Sequence, residues 1–378
     1  MVRRATPPLR LCALVALVAA PSLEGAAPPP APLAVSSTNP AYFRFRGRTV
    51  ALITSAEHYG GLINLDFNYT RYFDALRANG FTLTQAFAGS YVEPDSDCNP
   101  NGTNPAGNTL SPANGSFIAP WQRTAQPGGS LGGGKFDLTK YDEQYFARLQ
   151  DFVSVAGARG IVVQVALFCG YDATHEFIWA NNPMNPANNI NGLAGVNRTT
   201  VYTLRAGGEM LDIQLEMARR VAAALKPHDN AMLEVVFTTD GTGSDWARKI
   251  VGAVKQADAK RLVVLPVQWI ADMPAAWRQT LIANCGAGSN CSAPSGSGFT
   301  PPPAAAAEGP RPSILDSAGS AAAGLDSFRQ IYWMWMVEGG GALYNLDWSY
   351  TVAHEAGTKQ DEQTTTTPSG PAYESLYN

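Results

Sequence analysis

The stretch Lys135–Asp172, KFDLTKYDEQYFARLQDFVSVAGARGIVVQVALFCGYD, limits the fold more than any other. Asp137 or Thr139 is placed to cap a helix start, because either side chain can accept a bond from a free first-turn N–H. Phe146, Leu149, Phe152, Val153 and Ala156 then recur at helical spacing and predict one apolar face. Arg159-Gly160 ends that helix. Ile161–Phe168 follows as a nearly unbroken, β-branched apolar run. A strand that apolar is buried on both faces, as in a parallel sheet under helices. Helix, glycine turn and buried strand make the unit of an α/β barrel or a doubly wound sheet.

The unit repeats along the chain. Further strands are predicted at Thr49–Thr54, Phe81–Phe87, Ala231–Thr238, Arg261–Val267, Ser313–Ser317 and Gly341–Leu346. Helices are predicted at about Tyr69–Asn79, Arg205–Leu225, Asp245–Gln256 and Asp326–Glu338. Phe43–Arg48 reads as a small hairpin leading into the first strand. A sixth strand within Gly286–Pro312 would be short or distorted. Eight alternations favour a closed (β/α)8 TIM barrel, one domain over residues 41–358, with long βα loops and an irregular C-terminus. The chain's 378 residues suit a barrel that typically needs ~250 plus insertions. No GxGxxG or GxxxxGK[ST] follows a strand, so nucleotide-binding sheets lose support and no cofactor is called for.

Residues 1–25 read as a secretory signal. Arg3, Arg4 and Arg10 precede the short apolar run Leu11–Ala20 and a set of small residues. Residues 26–40 read as a disordered lead-in and 359–378 as a polar tail. The expected localisation is therefore extracellular, with no membrane attachment after cleavage. Of the five cysteines, Cys12 leaves with the leader. The remaining four favour two disulfides, and the preferred pairing is Cys98–Cys169 and Cys285–Cys291. No pair has CxxC spacing, so zinc is not expected. Asn68, Asn101, Asn114, Asn197 and Asn290 stand in Asn-x-Ser/Thr triplets, two or three of which are expected to carry glycans. The formal net charge is −4, and no Lys/Arg-rich run follows the leader. That argues against a nucleic-acid partner. The expected state is a monomer.

In a barrel the chemistry sits at the C-terminal ends of the strands. Those ends hold Glu57-His58, Tyr91 and Glu93, Cys169 and Tyr171, Thr238–Asp240, Ser317 and Asp347-Trp348. Aromatics that stack on sugar rings and polar groups that bond hydroxyls make carbohydrate the expected partner. Candidate ligand residues are Glu57, His58, Tyr91, Glu93, Trp121, Asp347, Trp348, His354 and Glu355. His354-Glu355 could instead hold a loop together as a charge-assisted pair. Trp333 and Trp335 are expected to pack.

Several blocks resemble the secreted (β/α)8 glycoside hydrolases related to family-5 cellulases, in a cellulase-like branch. They include Ile53–Gly60, Gly89–Glu93, Asn108-Thr109-Leu110, Ala119-Pro120-Trp121 and Lys135–Leu138. Leu167-Phe168-Cys169, Asn188–Gly192, Asp229-Asn230, Gly339–Ala342 and Asn345–Glu355 complete the set.

The resemblance implies a general acid/base glutamate after strand 4, but Thr238 stands at that position. It implies a nucleophile on strand 7, where the chain reads Asp316-Ser317-Ala318-Gly319. Gln85 replaces an arginine on strand 2, Gln164 a glutamate on strand 3, and Phe299-Thr300-Pro301 a strand-6 His-Tyr. Retaining hydrolysis needs two carboxyls ~5–5.5 Å apart, and neither Thr238 nor Ser317 supplies one. Asp240 and Asp316 are the possible substitutes, although alternation turns Asp316 away from Ser317's side. Glu234 shares a face with Thr238 but lies about 13 Å deeper, as a buried, bonded residue. The expected function is carbohydrate binding with hydrolysis weak or lost. The alternatives are an active retaining β-glycosidase using displaced carboxylates and a structural extracellular-matrix glycoprotein.

Overall fold

The computed structural model describes residues 31–93, 107–285, 311–317, 332–337 and 339–359. The chain divides into Met1–Pro30 and Ala31–Asn378, and the described residues all belong to the second unit. The proposed signal lies outside them.

A three-stranded antiparallel sheet comes first: β1 (Ala34–Val35), β2 (Phe43–Phe45) and β3 (Arg48–Val50). Arg46 and Gly47 form the β2–β3 turn at φ 47° and 82°, the left-handed backbone a two-residue hairpin requires. Residues 31–40 are thus not the disordered lead-in that their composition suggests. Leu33 is buried, and its N–H donates to the Asp229 carbonyl at 2.8 Å. Arg46 binds both carboxylate oxygens of Asp229, at 2.7 and 3.0 Å. The sheet is therefore tied to the N-terminal side of the barrel strand that starts at Ala231.

The barrel has eight parallel strands: β4 (Leu52–Ala56), β5 (Leu83–Phe87), β8 (Val162–Phe168), β9 (Ala231–Val236), β10 (Val263–Pro266), β11 (Leu281–Asn284), β12 (Ser313–Ser317) and β13 (Ala342–Leu346). Pairing runs β4-β13-β12-β11-β10-β9-β8-β5. The ring closes where the Thr82 N–H donates to the Ile53 carbonyl at 2.9 Å. α1 (Tyr69–Ala78), α2 (Glu143–Ala158), the short α3 (Glu176–Trp179), α4 (Gly208–Leu225) and α5 (Ser244–Ala257) belong to the outer layer and the loops. Each long helix buries an apolar stripe, as Tyr145, Phe146, Leu149, Phe152 and Val153 do on α2. A buried side chain of this size contributes about 1.5–3 kcal/mol.

Three further expectations change. Residues 136–141 are not a helix start but a strand, β7 (Phe136–Tyr141), paired with β6 (Trp121–Arg123). Asp137 bonds Thr139 and Lys140, and Asp142 caps α2 instead by accepting from the Gln144 N–H at 2.9 Å. The sixth barrel strand is Leu281–Asn284, ahead of the stretch expected to hold it. Two 3-10 turns, Val267–Asp272 and Ala275–Thr280, replace the helix that would have announced it. Phe299-Thr300-Pro301 lies outside the described residues, and strand 6 ends at Asn284-Cys285. Cys169 is a free, buried thiol, so the Cys98–Cys169 disulfide is overturned. Cys285 is disulfide-bonded; Cys98 and Cys291 lie outside the described residues.

Asn68, Asn114 and Asn197 are exposed, as glycan acceptors must be; Asn101 and Asn290 lie outside the described residues. Asn68 also caps α1, accepting from the Arg71 N–H at 3.2 Å. Residues 332–337 are helical; Trp335 packs inside as expected, whereas Trp333 is 59% exposed.

Candidate functional site at the barrel mouth

The C-terminal ends of β4, β5 and β13 bring His58, Tyr91, Glu93 and Trp348 together. The His58 Nε2 lies 3.2 Å from a Glu93 oxygen, and the Tyr91 hydroxyl donates to the other oxygen of Glu93. The Trp348 indole meets the His58 ring edge-on at 4.7 Å and 79°. His58 Nδ1 is buried and has no hydrogen-bond partner among the described residues. Glu93 and Trp348 are partly exposed, so the cluster has a solvent side.

Backbone geometry sets this up. Gly89 takes φ 98°, and a Cβ there would lie 2.8 Å from Pro120 Cδ; the tight turn carries the chain from β5 to Tyr91. Tyr59 holds a left-handed φ of 58°, an uncommon conformation for a bulky residue. That turn aims the Tyr59 ring into the mouth. It stacks on Tyr344 at 5.0 Å and meets Phe87 and Phe237 at 5.6 and 5.3 Å. The floor of the mouth is thus an aromatic plug.

Not every predicted residue reaches the cluster. Glu57 is fully buried and turned into its own loop. Its oxygens accept the Gly60 and Gly61 N–H groups at 2.9 and 3.0 Å and the Thr109 hydroxyl. Asp347 is buried and bonds Ser55 and the Ser349 N–H, each at 2.9 Å. Trp121 is 1% exposed and packs in the core. His354 and Glu355 do not pair with each other: His354 contacts Thr358 at 3.2 Å, and Glu355 pairs with Arg71 of α1 at 3.3 Å.

Thr238, where the resemblance implies the acid/base, is 1% exposed, and its hydroxyl has no partner among the described residues. Gly170 crowds it; a Cβ there would lie 2.7 Å from that hydroxyl. Asp240 is partly exposed in the following loop. On β12 the backbone of Asp316 is in register with Tyr344 and that of Ser317 with Asn345. Deeper in the barrel the two glutamines that depart from the family pattern meet. Gln85 and Gln164 each donate to one oxygen of Glu234, at 3.2 and 3.0 Å, and Asn284 donates to the other at 2.5 Å.

Asp172, just after β8, is a buried acid outside the predicted site set. Asn182 and Tyr202 each donate to one of its oxygens at 3.0 Å, and the other oxygen has no partner among the described residues. Its position four residues past a strand end was the available signal. Burial pushes Asp172 up to about 7, against the bonds from Asn182 and Tyr202. Burial likewise pushes Glu57 up to about 7, opposed by Thr109, Gly61 and Gly60. Burial also raises the Cys169 thiol, which keeps it unreactive.

Both carboxyls hold a proton more tightly folded than unfolded, where they titrate near 4. Their contribution to stability is complete below pH ~4 and is lost as pH rises through ~7. Denaturant unfolding should show the protein less stable at pH ~8 than at pH ~5, by on the order of 2–4 kcal/mol per group. Asp172→Asn should flatten that slope. A slope identical in the variant would show that Asp172 does not cause it.

The fold also appears among solved structures. The endo-1,4-beta-mannanase from Rhizomucor miehei superposes with a TM-score of 0.54, at 11% identity, over 92% of this chain and all of that one (100%). The fold is a (β/α)8 barrel. The beta-mannanase from the blue mussel Mytilus edulis matches at TM-score 0.48 and 9% identity, over 90% of this chain and 99% of that one. The exo-beta-1,4-mannosidase Op5Man5 from Opitutaceae bacterium strain TAV5 matches at TM-score 0.49 and 16% identity, over 83% of this chain. The barrel spans 55% of that mannosidase's length. No protein-family model matches the chain, and no curated protein matches it in sequence.

Proposed function

We propose that this is a secreted carbohydrate-binding protein on a glycoside-hydrolase barrel, with hydrolysis weak or lost. The observation that carries the reading is the end of β9. There Thr238, buried and unbonded among the described residues, occupies the position where the resemblance puts the proton donor. An alkyl hydroxyl has no accessible acidity near neutral pH, and general acid/base help is worth roughly 10²–10⁴ in rate. The recognition elements fare better. Trp348 offers a partly exposed aromatic beside the His58–Glu93 pair, a platform and hydrogen-bonding groups on one side of the mouth. The mannanase whose barrel superposes on this one makes β-linked hexosans the first ligands to try.

Titration with mannohexaose and cellohexaose, followed by tryptophan fluorescence, tests this. At least one is expected to saturate, with Trp348→Ala weakening it about tenfold or more. Absence of saturation at millimolar sugar would overturn the binding reading.

A second reading keeps one observation in its favour. Asp316 is in register with Tyr344, whose ring lies in the barrel core. Carboxylates supplied by Asp316 and Asp240 would serve a working glycosidase. Turnover abolished by Asp316→Ala or Asp240→Ala would establish it.

A further inference from the structure

The opposite end of the barrel carries a feature that the mouth does not explain. A groove of about 810 Å³ runs between the N-terminal sheet and the segments that enter β10, β11 and β12. Lys260, Arg278 and Arg311 line it, with the hydroxyls of Ser36, Ser37 and Thr280 over an apolar floor. A second groove of about 510 Å³ lies between α5, α4 and the 274–277 turn. Arg248, Lys249 and Lys255 line this one, with Arg219 at its edge and Trp277 as an aromatic wall. The two are neighbours: the Lys255 ammonium in one donates to the Thr280 hydroxyl in the other at 2.5 Å.

Together the linings hold seven Lys/Arg residues and no Asp or Glu, in a chain whose acids outnumber its bases, 31 to 27. Two acids beside the grooves are engaged. Asp258 pairs with Arg261 at 3.0 Å and Glu216 with Arg219 at 2.7 Å. Arg248, Lys249 and Lys260 are exposed and form no ion pair among the described residues. Lys255 is buried on its neutral partners Thr280 and the Arg261 carbonyl. A chain with net charge −4 thus concentrates positive potential on one face, which raises the local concentration of anions.

We infer that this face binds an acidic polysaccharide, a uronate-bearing chain laid across both grooves. Cations take the carboxylates, and Trp277 offers a flat apolar wall for a sugar ring. One aromatic wall among many cations fits a sugar acid better than a single-stranded nucleic acid, which uses several stacking platforms. The site is independent of the mouth and does not need the mouth to bind sugar.

The test uses a short polygalacturonate, with a neutral β-glucan oligomer and single-stranded DNA of matched charge as comparisons. Polygalacturonate should bind saturably at ~50 mM salt and weaken steeply by ~200 mM. The variant Arg248→Gln/Lys249→Gln/Lys260→Gln, altered only at exposed positions, should lose about tenfold or more in affinity. Its melting temperature and neutral-sugar binding should not move. Trp348→Ala should bind the acidic chain as the wild type does. No binding at low salt, equal binding by the triple variant, loss in Trp348→Ala, or equally tight DNA binding would each overturn the inference.

Discussion

Glu234→Ala is expected to lower the stability of the barrel by about 3–5 kcal/mol, a large part of what a domain typically has. The carboxylate sits at the centre of the strand ring, fully buried, where it accepts from Gln85, Gln164 and Asn284. These amides come from β5, β8 and β11, so one side chain joins three strands. Alanine leaves their N–H groups facing a cavity, and each unsatisfied buried donor costs ~1–3 kcal/mol. Glu234→Gln keeps the shape and should cost less, about 1–2 kcal/mol. Denaturant midpoints measure both. A loss under ~1 kcal/mol for alanine would show that the amides rebond among themselves.

Gly60→Ala should cost about 3 kcal/mol and weaken sugar binding together with it. An added Cβ would lie 2.2 Å from both the carbonyl carbon and oxygen of Thr109, and 2.5 Å from the Leu110 nitrogen. Those are backbone atoms, so no rotamer change relieves the overlap. The loop after β4 would have to part from the 108–110 segment. Parting them breaks the Gly60 N–H bond to the Thr109 hydroxyl, at 3.2 Å, and the Thr109 hydroxyl's bond to Glu57. It also tilts His58 away from Glu93. Arg148 resists by donating to the Leu62, Asn64 and Gly61 carbonyls at 2.7, 2.8 and 3.1 Å. Unfolding midpoints and a hexaose titration on the same sample check both effects. Unchanged affinity in a destabilised variant would separate this loop from the site.

The barrel was legible because buried parallel strands are written as apolar runs, and Val162–Phe168 or Val263–Pro266 need little else to be found. Leu281–Asn284 was not, since four residues after a 3-10 turn carry no period. Phe136–Tyr141 misled because Asp137 and Thr139 bond each other, a local pattern that also resembles a helix cap. At the site, sequence order located the strand ends and hence His58, Tyr91, Glu93 and Trp348. It could not supply orientation. Glu57 and His58 are adjacent, yet one turns into its loop and the other faces Glu93. Nor could it show that Gln85 and Gln164, distant in sequence, share one carboxylate. The cysteine count implied a bridge at Cys169, but burial beside Tyr91 and Asp172 leaves it a thiol.

The central claim is that sugar is held at the mouth and left uncut. Mass spectrometry of the purified protein incubated with mannohexaose or cellohexaose reads both halves at once. The account predicts a complex carrying the intact hexaose, with no shorter sugar accumulating over days. Shorter products formed at enzymatic rates, or no complex with either sugar, would contradict it.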